Sequence, residues 1–409
     1  MARQLLRIAA FVVGIIASVL SCSSRDVDST SSLPDQRKLG KTILDTDLEL
    51  GTQLVVVGDS AITLATAITS TAQLRQAVVL RAPLPSIPGP GVRWQGPKFQ
   101  NNNSGMWVGG ALGAKTWVAI NRTGENNEIH LVDTLVGADI WAAMGLPGQG
   151  VRDMAQVGGR AIVALGLGGL QAIGATEGQV WKSQPNFASA AVAPSANGVV
   201  TAGFEIEDMG VLGVAWTDSS GAIDASLRVR LPSTGRVVFP IETKGSLSVL
   251  SVATDGAPFM VGVIVAVEPG KLLWAKVIKE CSSHTALLDD DTAVISAYQG
   301  GADIWDLHLS LADGSVKHVQ AGALDRRAVV ASADFLVQTR QTLPSPAELW
   351  VTDRWNNASD ADSGACRNMQ YSACAADTPD KVIGCKYGKC LPAQPAPTCL
   401  PQAWTDTTP

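Results

Sequence analysis

The pentapeptide Gly137-Ala138-Asp139-Ile140-Trp141 recurs unchanged as Gly301-Ala302-Asp303-Ile304-Trp305, 164 residues downstream. Tryptophan also returns at Trp181, Trp216, Trp274 and Trp350, in a chain with 11 Trp but only 3 Tyr and 7 Phe. The mean interval from Trp141 to Trp350 is about 42 residues, and the two pentapeptides lie about four such intervals apart. Helical periodicity is almost absent. Short β-branched apolar runs replace it: Leu54–Val57, Ala77–Leu80, Ala161–Leu165, Gly198–Ala202, Leu247–Ala253, Met260–Val267, Ala293–Ala297 and Ala328–Ala331. Turn residues follow, as in Asp218-Ser219-Ser220-Gly221, Glu268-Pro269-Gly270 and Asp313-Gly314. Short strands with Gly and an aromatic in each unit of about 40–50 residues are the pattern of four-stranded blades. The expected fold is all-β, a β-propeller of six to eight four-stranded blades, centred on seven, over residues 42–357. Trp141, Trp181, Trp216, Trp274, Trp305 and Trp350 are expected to pack between blades. Their individual intervals run from 31 to 58 residues, so the repeat is degenerate.

Two segments carry more detail. Ala266-Val267-Glu268-Pro269-Gly270 leads to Trp274, and Ala172-Ile173-Gly174-Ala175-Thr176-Glu177-Gly178 leads to Trp181. Both resemble the repeat of quinoprotein-type propellers, in which Ala, an acid, Gly and Trp recur at set spacing to dock adjacent blades. The second segment has Gly174 where the acid belongs and is one residue short before its Trp. The resemblance covers two blades and implies the architecture. Quinone chemistry would also need a calcium site and quinone-stacking groups, which the sequence does not assign.

The N-terminus carries Arg3 and Arg7, an apolar stretch from Ile8 to Leu20, then Ser21 and Cys22. A positive start, a short apolar run and a small residue describe a secretory signal. A bilayer-spanning helix needs about 20 apolar residues, more than this run offers. Val19-Leu20-Ser21-Cys22 resembles the lipobox of bacterial lipoproteins. The resemblance implies removal of residues 1–21, a lipid on the Cys22 thiol and anchoring to the membrane. Ser23 after the lipidated position implies outer-membrane sorting, so the expected location is the cell envelope, periplasmic or surface-facing. Residues 22–41 are polar and form an expected flexible tether.

Six cysteines remain: Cys281, Cys366, Cys374, Cys385, Cys390 and Cys399. An exported chain sits where disulfides persist. Five of the six lie in a cysteine-rich tail, residues 358–409, whose low apolar content leaves bridges to hold it. Cys281 is the natural sixth partner and would clamp the tail to the propeller, although all 15 connectivities stay open. Zinc is disfavoured because the tail has no C-x-x-C pair and no His.

Net charge is −6, falling to −8 once Arg3 and Arg7 are removed, with no basic block, so nucleic acid is not an expected partner. Leu54–Thr63 reads LVVVGDSAIT and resembles the first block of GDS-type esterases, which would make Ser60 a nucleophile. A serine nucleophile needs a base oriented by an acid. The family's Asp-x-x-His is missing and Gly124-Glu125-Asn126-Asn127 lacks the family's Asp, so a hairpin turn is the expectation. Gly166-Leu167-Gly168-Gly169 also reads as a turn. Four histidines exist: His130, His284, His308 and His318. Glu128 and His130 share a strand face, and His308 and His318 fall on adjacent strands, yet surface or interstrand positions are expected and no metal site is assigned. Asp289-Asp290-Asp291 and Asp360-Ala361-Asp362-Ser363-Gly364 offer carboxylates to calcium, and the first reads as a solvated hairpin tip. No cofactor is expected, calcium being the one ion for which ligands exist. Trp94 and Trp107 flank Asn101-Asn102-Asn103 and suit sugar stacking. Glu205, Glu207 and Asp208 are carboxylates for a glycan-cleaving alternative.

The expected function is a non-catalytic propeller scaffold for a protein partner, lipid-anchored at the outer membrane. In overall plan it resembles the propeller lipoprotein of the outer-membrane β-barrel assembly machinery, which lacks the cysteine-rich tail. The alternatives are a propeller that binds or cleaves polysaccharide and a surface adhesion protein.

Overall fold

Each apolar run in the sequence lies on one of the first three strands of a four-stranded antiparallel sheet, and seven such sheets follow one another along the chain. The computed structural model describes residues 40–353 apart from 46, 69–73, 86–90, 101–106, 122–126, 147–149, 257–260, 279–280, 290, 300–302, 322–325, 332–334 and 343–344, together with 24–25, 381–382, 385–386, 389–390, 394–395 and 401–404. The described residues form strands and turns with no helix. The seven blades of this β-propeller are residues 48–100, 107–146, 153–183, 188–230, 235–278, 281–321 and 326–353. Second strands are covered on both faces and so need continuous apolar runs: Gly198–Phe204 in blade 4 is buried at every position. Outer strands face solvent on one side, and Ile223–Arg230 of the same blade is exposed at half of its positions and buried only at Val229. In blade 5 the innermost strand is split into Gly235–Val238 and Glu242–Lys244, both paired to Leu247–Thr254.

Closure of the ring comes from the N-terminal side. Gly40–Asp45 pairs antiparallel with Ala347–Asp353 and becomes the outer strand of blade 7. Gln341 reinforces the closure. Its Oε1 accepts from the Leu50 amide of blade 1 at 2.8 Å, and its Nε2 donates to the Leu48 carbonyl at 2.5 Å.

Apolar cores fill the gaps between blades. The largest joins blades 4 and 5 and includes Val200, Leu212, Trp216, Leu250 and Val263. Between blades 6 and 7 the described apolar contact shrinks to Val294 and Leu336, with Val329 beside them. A buried ion pair stands there instead: Arg326 of blade 7 donates to both carboxylate oxygens of Asp306 in blade 6, to Oδ2 at 2.8 Å.

The repeat read from the sequence needs one correction. Gly137–Trp141 spans a third-to-fourth-strand turn and the outer strand Ala138–Leu146, whereas Asp303–Trp305 opens the third strand of blade 6, Asp303–Ser310. The two pentapeptides are therefore not structurally equivalent. The tryptophans divide the same way. Trp141, Trp181 and Trp274 lie on outer strands, and Trp216, Trp305 and Trp350 on third strands. Mixing two strand positions produces the uneven intervals.

Gly58-Asp59 is a hairpin turn between Leu48–Val57 and Ser60–Ile68, with Gly58 at φ 58°. Ser60 thus opens a strand and not a strand-to-helix elbow. Gly166–Gly169 likewise joins two strands, with Gly166 and Gly169 in the left-handed region. The chain returns to the propeller at its C-terminal end. Gln402–Ala403 pairs with the outer strand of blade 5, Lys271–Ile278, as an added strand. Cys22, Cys366, Cys374 and Cys399 lie outside the described residues, as do Asn101–Asn103 and Asp360–Gly364. Cys281, Cys385 and Cys390 are described by their backbone alone.

Candidate functional site

The tryptophans locate the joints between blades. In blades 3 and 5 an alanine on the third strand faces a tryptophan on the outer strand, Ala172 opposite Trp181 and Ala266 opposite Trp274, each beside a bulge. The indole then reaches the following blade. Trp181 Nε1 donates to the Ser219 carbonyl at 3.0 Å, and Trp274 Nε1 to the Leu311 carbonyl at 2.9 Å. The turn beneath each ring carries a left-handed glycine. A Cβ on Gly221 (φ 94°) would meet Trp181 at 2.9 Å, and one on Gly314 (φ 66°) would meet Trp274 at 2.7 Å. Glycine meets both demands, the backbone angle and the missing side chain.

Blade 4 reverses the pair, with Trp216 on the third strand and Ala225 on the outer one. Trp216 is buried in the core between blades 4 and 5, and the turn glycine of blade 5, Gly270, has open space above it. A residue from the far end of the chain packs on this seam. Trp404 lies against the blade 4–5 core along with Ala225, Leu227 and Leu272. Its amide donates to the Ala275 carbonyl and its Nε1 to the Arg230 carbonyl, both at 3.0 Å. Trp141 packs edge-on against Trp117 of its own blade at 5.6 Å. Trp350 is held inside blade 7 by Glu348, with Arg340 and Lys41 over its ring. The Trp305 side chain lies outside the described residues.

Between blades 1 and 2 the fold gathers an acid-histidine-acid cluster. His130 Nδ1 sits 3.0 Å from Asp139 Oδ1, and Nε2 sits 3.3 Å from Glu128 Oε2. Trp94 tilts over the imidazole at 5.2 Å. Strand alternation puts Glu128 beside His130, whereas Asp139 comes from the next strand across a short turn. Trp94 is only 3 % exposed, so it offers no face to a sugar. Residues 307 to 309 pair with the outer strand of blade 6 in a register that sets His308 opposite His318. The His284 and His318 side chains are outside the described residues.

Other sequence candidates are accounted for by neighbours. Glu205 is held by two nitrogens of Arg228, and Asp208 by Arg230 at 2.9 Å, so these acids are neutralised on the rim of blade 4. Asp291 takes the Lys317 ammonium, whose hydrogen bond holds its carboxyl below the ordinary range. Asp313 is drawn down to about 2 by the Ser315 amide and hydroxyl. Two buried aspartates behave oppositely. Asp153 accepts from the Met154 and Val192 amides at 2.9 and 2.8 Å, yet burial raises its pKa well above the ordinary 3.8. Burial also works to raise Asp306, but the charge and hydrogen bonds of Arg326 outweigh it and lower its pKa.

The most exposed apolar group is on blade 2. Among the described residues eight large apolar side chains are exposed, and Leu135, Val136 and Ile140 lie within six residues at 60, 70 and 46 %. Their turn is held firmly. Asp133 Oδ1 accepts from the Leu135 amide at 2.8 Å, the Gly137 amide donates to the Asp133 carbonyl at 2.9 Å, and Thr134 Oγ1 donates to the Ala114 carbonyl at 2.7 Å. Gly137, at φ 67°, would bring a Cβ within 2.9 Å of the Arg93 carbonyl of blade 1. A fixed turn presenting apolar side chains to water is preorganised for contact, because its ordering cost is already met on folding.

No family model matches the chain, and no curated protein is similar to it. Many solved structures resemble it in part, among them the following three. The computationally designed Ika8 protein has 13 % identity, a TM-score of 0.46, and coverage of 78 % of this chain and 98 % of that one. BamB from Moraxella catarrhalis has 14 % identity, a TM-score of 0.42, and coverage of 77 % and 99 %. The quinohemoprotein alcohol dehydrogenase ADHIIG from Pseudomonas putida HK5 has 10 % identity, a TM-score of 0.47, and coverage of 77 % and 75 %.

Proposed function

We propose that this chain is a non-catalytic β-propeller lipoprotein, anchored in the outer membrane through Cys22, that holds a protein partner at the rim of blade 2. The observation that carries the reading is the rigid apolar turn with Leu135 and Val136 outward and Ile140 beside it. Covering one such side chain is worth about 1.5–3 kcal/mol, so a partner that seats two or three gains enough to offset part of the cost of association. A partner of matching chemistry presents an apolar pocket or groove with a polar rim. Two of the three acids suggested for a glycan-cleaving site, Glu205 and Asp208, are paired with arginines on blade 4, and this favours the scaffold over the glycan reading. Cys22→Ala should move the protein from the membrane fraction to the soluble one.

The contact is tested with a photo-crosslinking residue placed at Val136 in cells, with Asp224 on the exposed outer strand of blade 4 as the control. One reproducible protein adduct at position 136, absent at 224 and lost with Leu135→Asp, is expected. No adduct at 136, or the same adduct at 224, overturns the proposed surface.

A further inference from the structure

We propose that His130 is a proton-operated latch on the blade 2 surface: as an imidazolium it holds Asp139 and the bulge that presents Ile140, and as a neutral ring it lets Asp139 go. The regulation of docking rests on the proposed function, whereas the latch itself does not. Both ring nitrogens are engaged by acids. Nδ1 lies 3.0 Å from Asp139 Oδ1, and Nε2 lies 3.3 Å from Glu128 Oε2. An ionised carboxylate only accepts hydrogen bonds, and a neutral imidazole has a single N–H to give. Only the imidazolium, which donates from both nitrogens, satisfies both contacts at once. The carboxylates face different nitrogens, so the three side chains do not converge on one point as the ligands of a metal ion would.

Burial decides which contact opens. Glu128 and His130 are buried and Trp94 closes over the ring, whereas the Asp139 side chain is 46 % exposed. A carboxylate in contact with water loses a hydrogen bond at little cost, but a buried one left facing a ring lone pair keeps its desolvation cost. The one proton of the neutral ring therefore stays with Glu128, and Asp139 is released to water. Among the described residues, the other charged groups on the strands around His130 are occupied or distant. Asp133, on the same strand, accepts from the Leu135 amide. Lys115, the only charged residue of Lys115–Asn121, lies opposite Asp133, whereas His130 lies opposite Val118. On the blade 1 strand that carries Trp94, Val92–Gln100, Arg93 is paired with Asp47 and Lys98 is exposed. Ala138–Leu146 has no charged residue besides Asp139, and Trp107–Leu112 has none.

Asp139 is placed to pass the change to the surface. It lies opposite Val132 and Trp141 lies opposite Leu131, which leaves Ile140 as the extra residue of a bulge. A bulge bends its strand and re-aims a side chain, and here the side chain belongs to the exposed apolar group of blade 2. With Asp139 held, the bulge is fixed before a partner arrives. With Asp139 released, its ordering must be supplied on binding. Histidine ordinarily changes charge between about pH 5 and pH 8. Docking is therefore firm at the acid end of that range and weaker at the other.

The test is methyl NMR of the full-length protein between about pH 5 and pH 8, with the His130 ring followed in parallel. The Ile140 methyl signals should shift in step with the ring, and those of Ile206, exposed on blade 4, should stay in place. Asp139→Asn, a change at a half-exposed side chain, should abolish the Ile140 step. A ring that keeps one protonation state across the range, or an Ile140 signal that ignores its titration, overturns the latch. The crosslinking residue at Val136 separates this inference from the docking reading. Its adduct should fall about two- to fivefold from about pH 6 to about pH 8, the worth of one partly exposed charged pair, and the fall should vanish in Asp139→Asn. An adduct formed equally at both pH values overturns the regulation. No adduct at either, with Ile140 following His130, overturns the docking reading and leaves the latch standing.

Discussion

The seam between blades 5 and 6 and the seam between blades 4 and 5 are built from the same parts in different places. At the first, Trp274 comes from the outer strand, bonds to the next blade and covers Gly314. At the second, the outer strand offers Ala225, the tryptophan sits one strand inward as Trp216, and Gly270 stays open. Trp404 from the end of the chain packs there instead. The difference teaches that a repeat protein can lose a docking residue from one unit when another segment supplies the apolar cover. It also assigns a role to residues 401–404, whose Trp404 covers the outer edge of the joint between blades 4 and 5.

The largest expected effects test whether local and borrowed tryptophans matter equally. Trp274→Ala removes an indole that is 7 % exposed and should cost about 3–5 kcal/mol in denaturant unfolding. Trp404→Ala removes a half-buried ring and should cost about 1–3 kcal/mol, with the loss concentrated at the C-terminal strand. Equal losses would break the comparison. Glycine substitutions sharpen it. Gly314→Ala should cost about 1–2 kcal/mol for the left-handed backbone and about 1–3 kcal/mol more for driving a Cβ into the indole. Gly270→Ala should cost only the first part, because its Cβ meets nothing. Thermal unfolding of the two variants reads the difference directly.

The smallest expected effects are in the pH dependence of two polar seams. Asp153 joins blades 3 and 4 with its pKa raised by burial. Its stabilisation is full below the ordinary 3.8 and is lost as pH rises through the folded value. Asp306 joins blades 6 and 7 and is lowered, burial notwithstanding, by Arg326. Its stabilisation is full above 3.8 and is lost as pH falls through the folded value. Asp153→Asn should therefore flatten the loss of stability as pH rises above 3.8, and Asp306→Asn the loss as pH falls below it. Denaturant midpoints measured across the acid-to-neutral range check both signs.

Much of this plan was legible in the sequence. Runs such as Leu247–Ala253 mark strands buried on both faces, and the mean tryptophan interval puts the blade number at six to eight, centred on seven, where the structure has seven. The two Ala-to-Trp segments mark two seams because the pairing of those residues is local. What stayed hidden depended on distant partners. Gly40–Asp45 is short, with only Ile43 and Leu44 apolar, and nothing in it announces pairing with Ala347–Asp353. Gln402–Ala403 is too short to carry a period. Alternation placed Glu128 beside His130, but Asp139 arrives across a turn and a bulge that alternation does not describe. The equal pentapeptides misled because Trp141 and Trp305 occupy different strands. Leu135 and Val136 carry no outward mark in sequence, since an apolar pair in a turn looks like the end of a buried strand.

Hydrogen–deuterium exchange over Lys271–Ile278, comparing the full chain with one ending at Leu400, tests the borrowed seam most directly. Faster exchange in that strand on truncation is expected, with Gly178–Ser183 of blade 3 unchanged. Unchanged exchange at 271–278 would contradict the claim that the C-terminal strand covers blade 5.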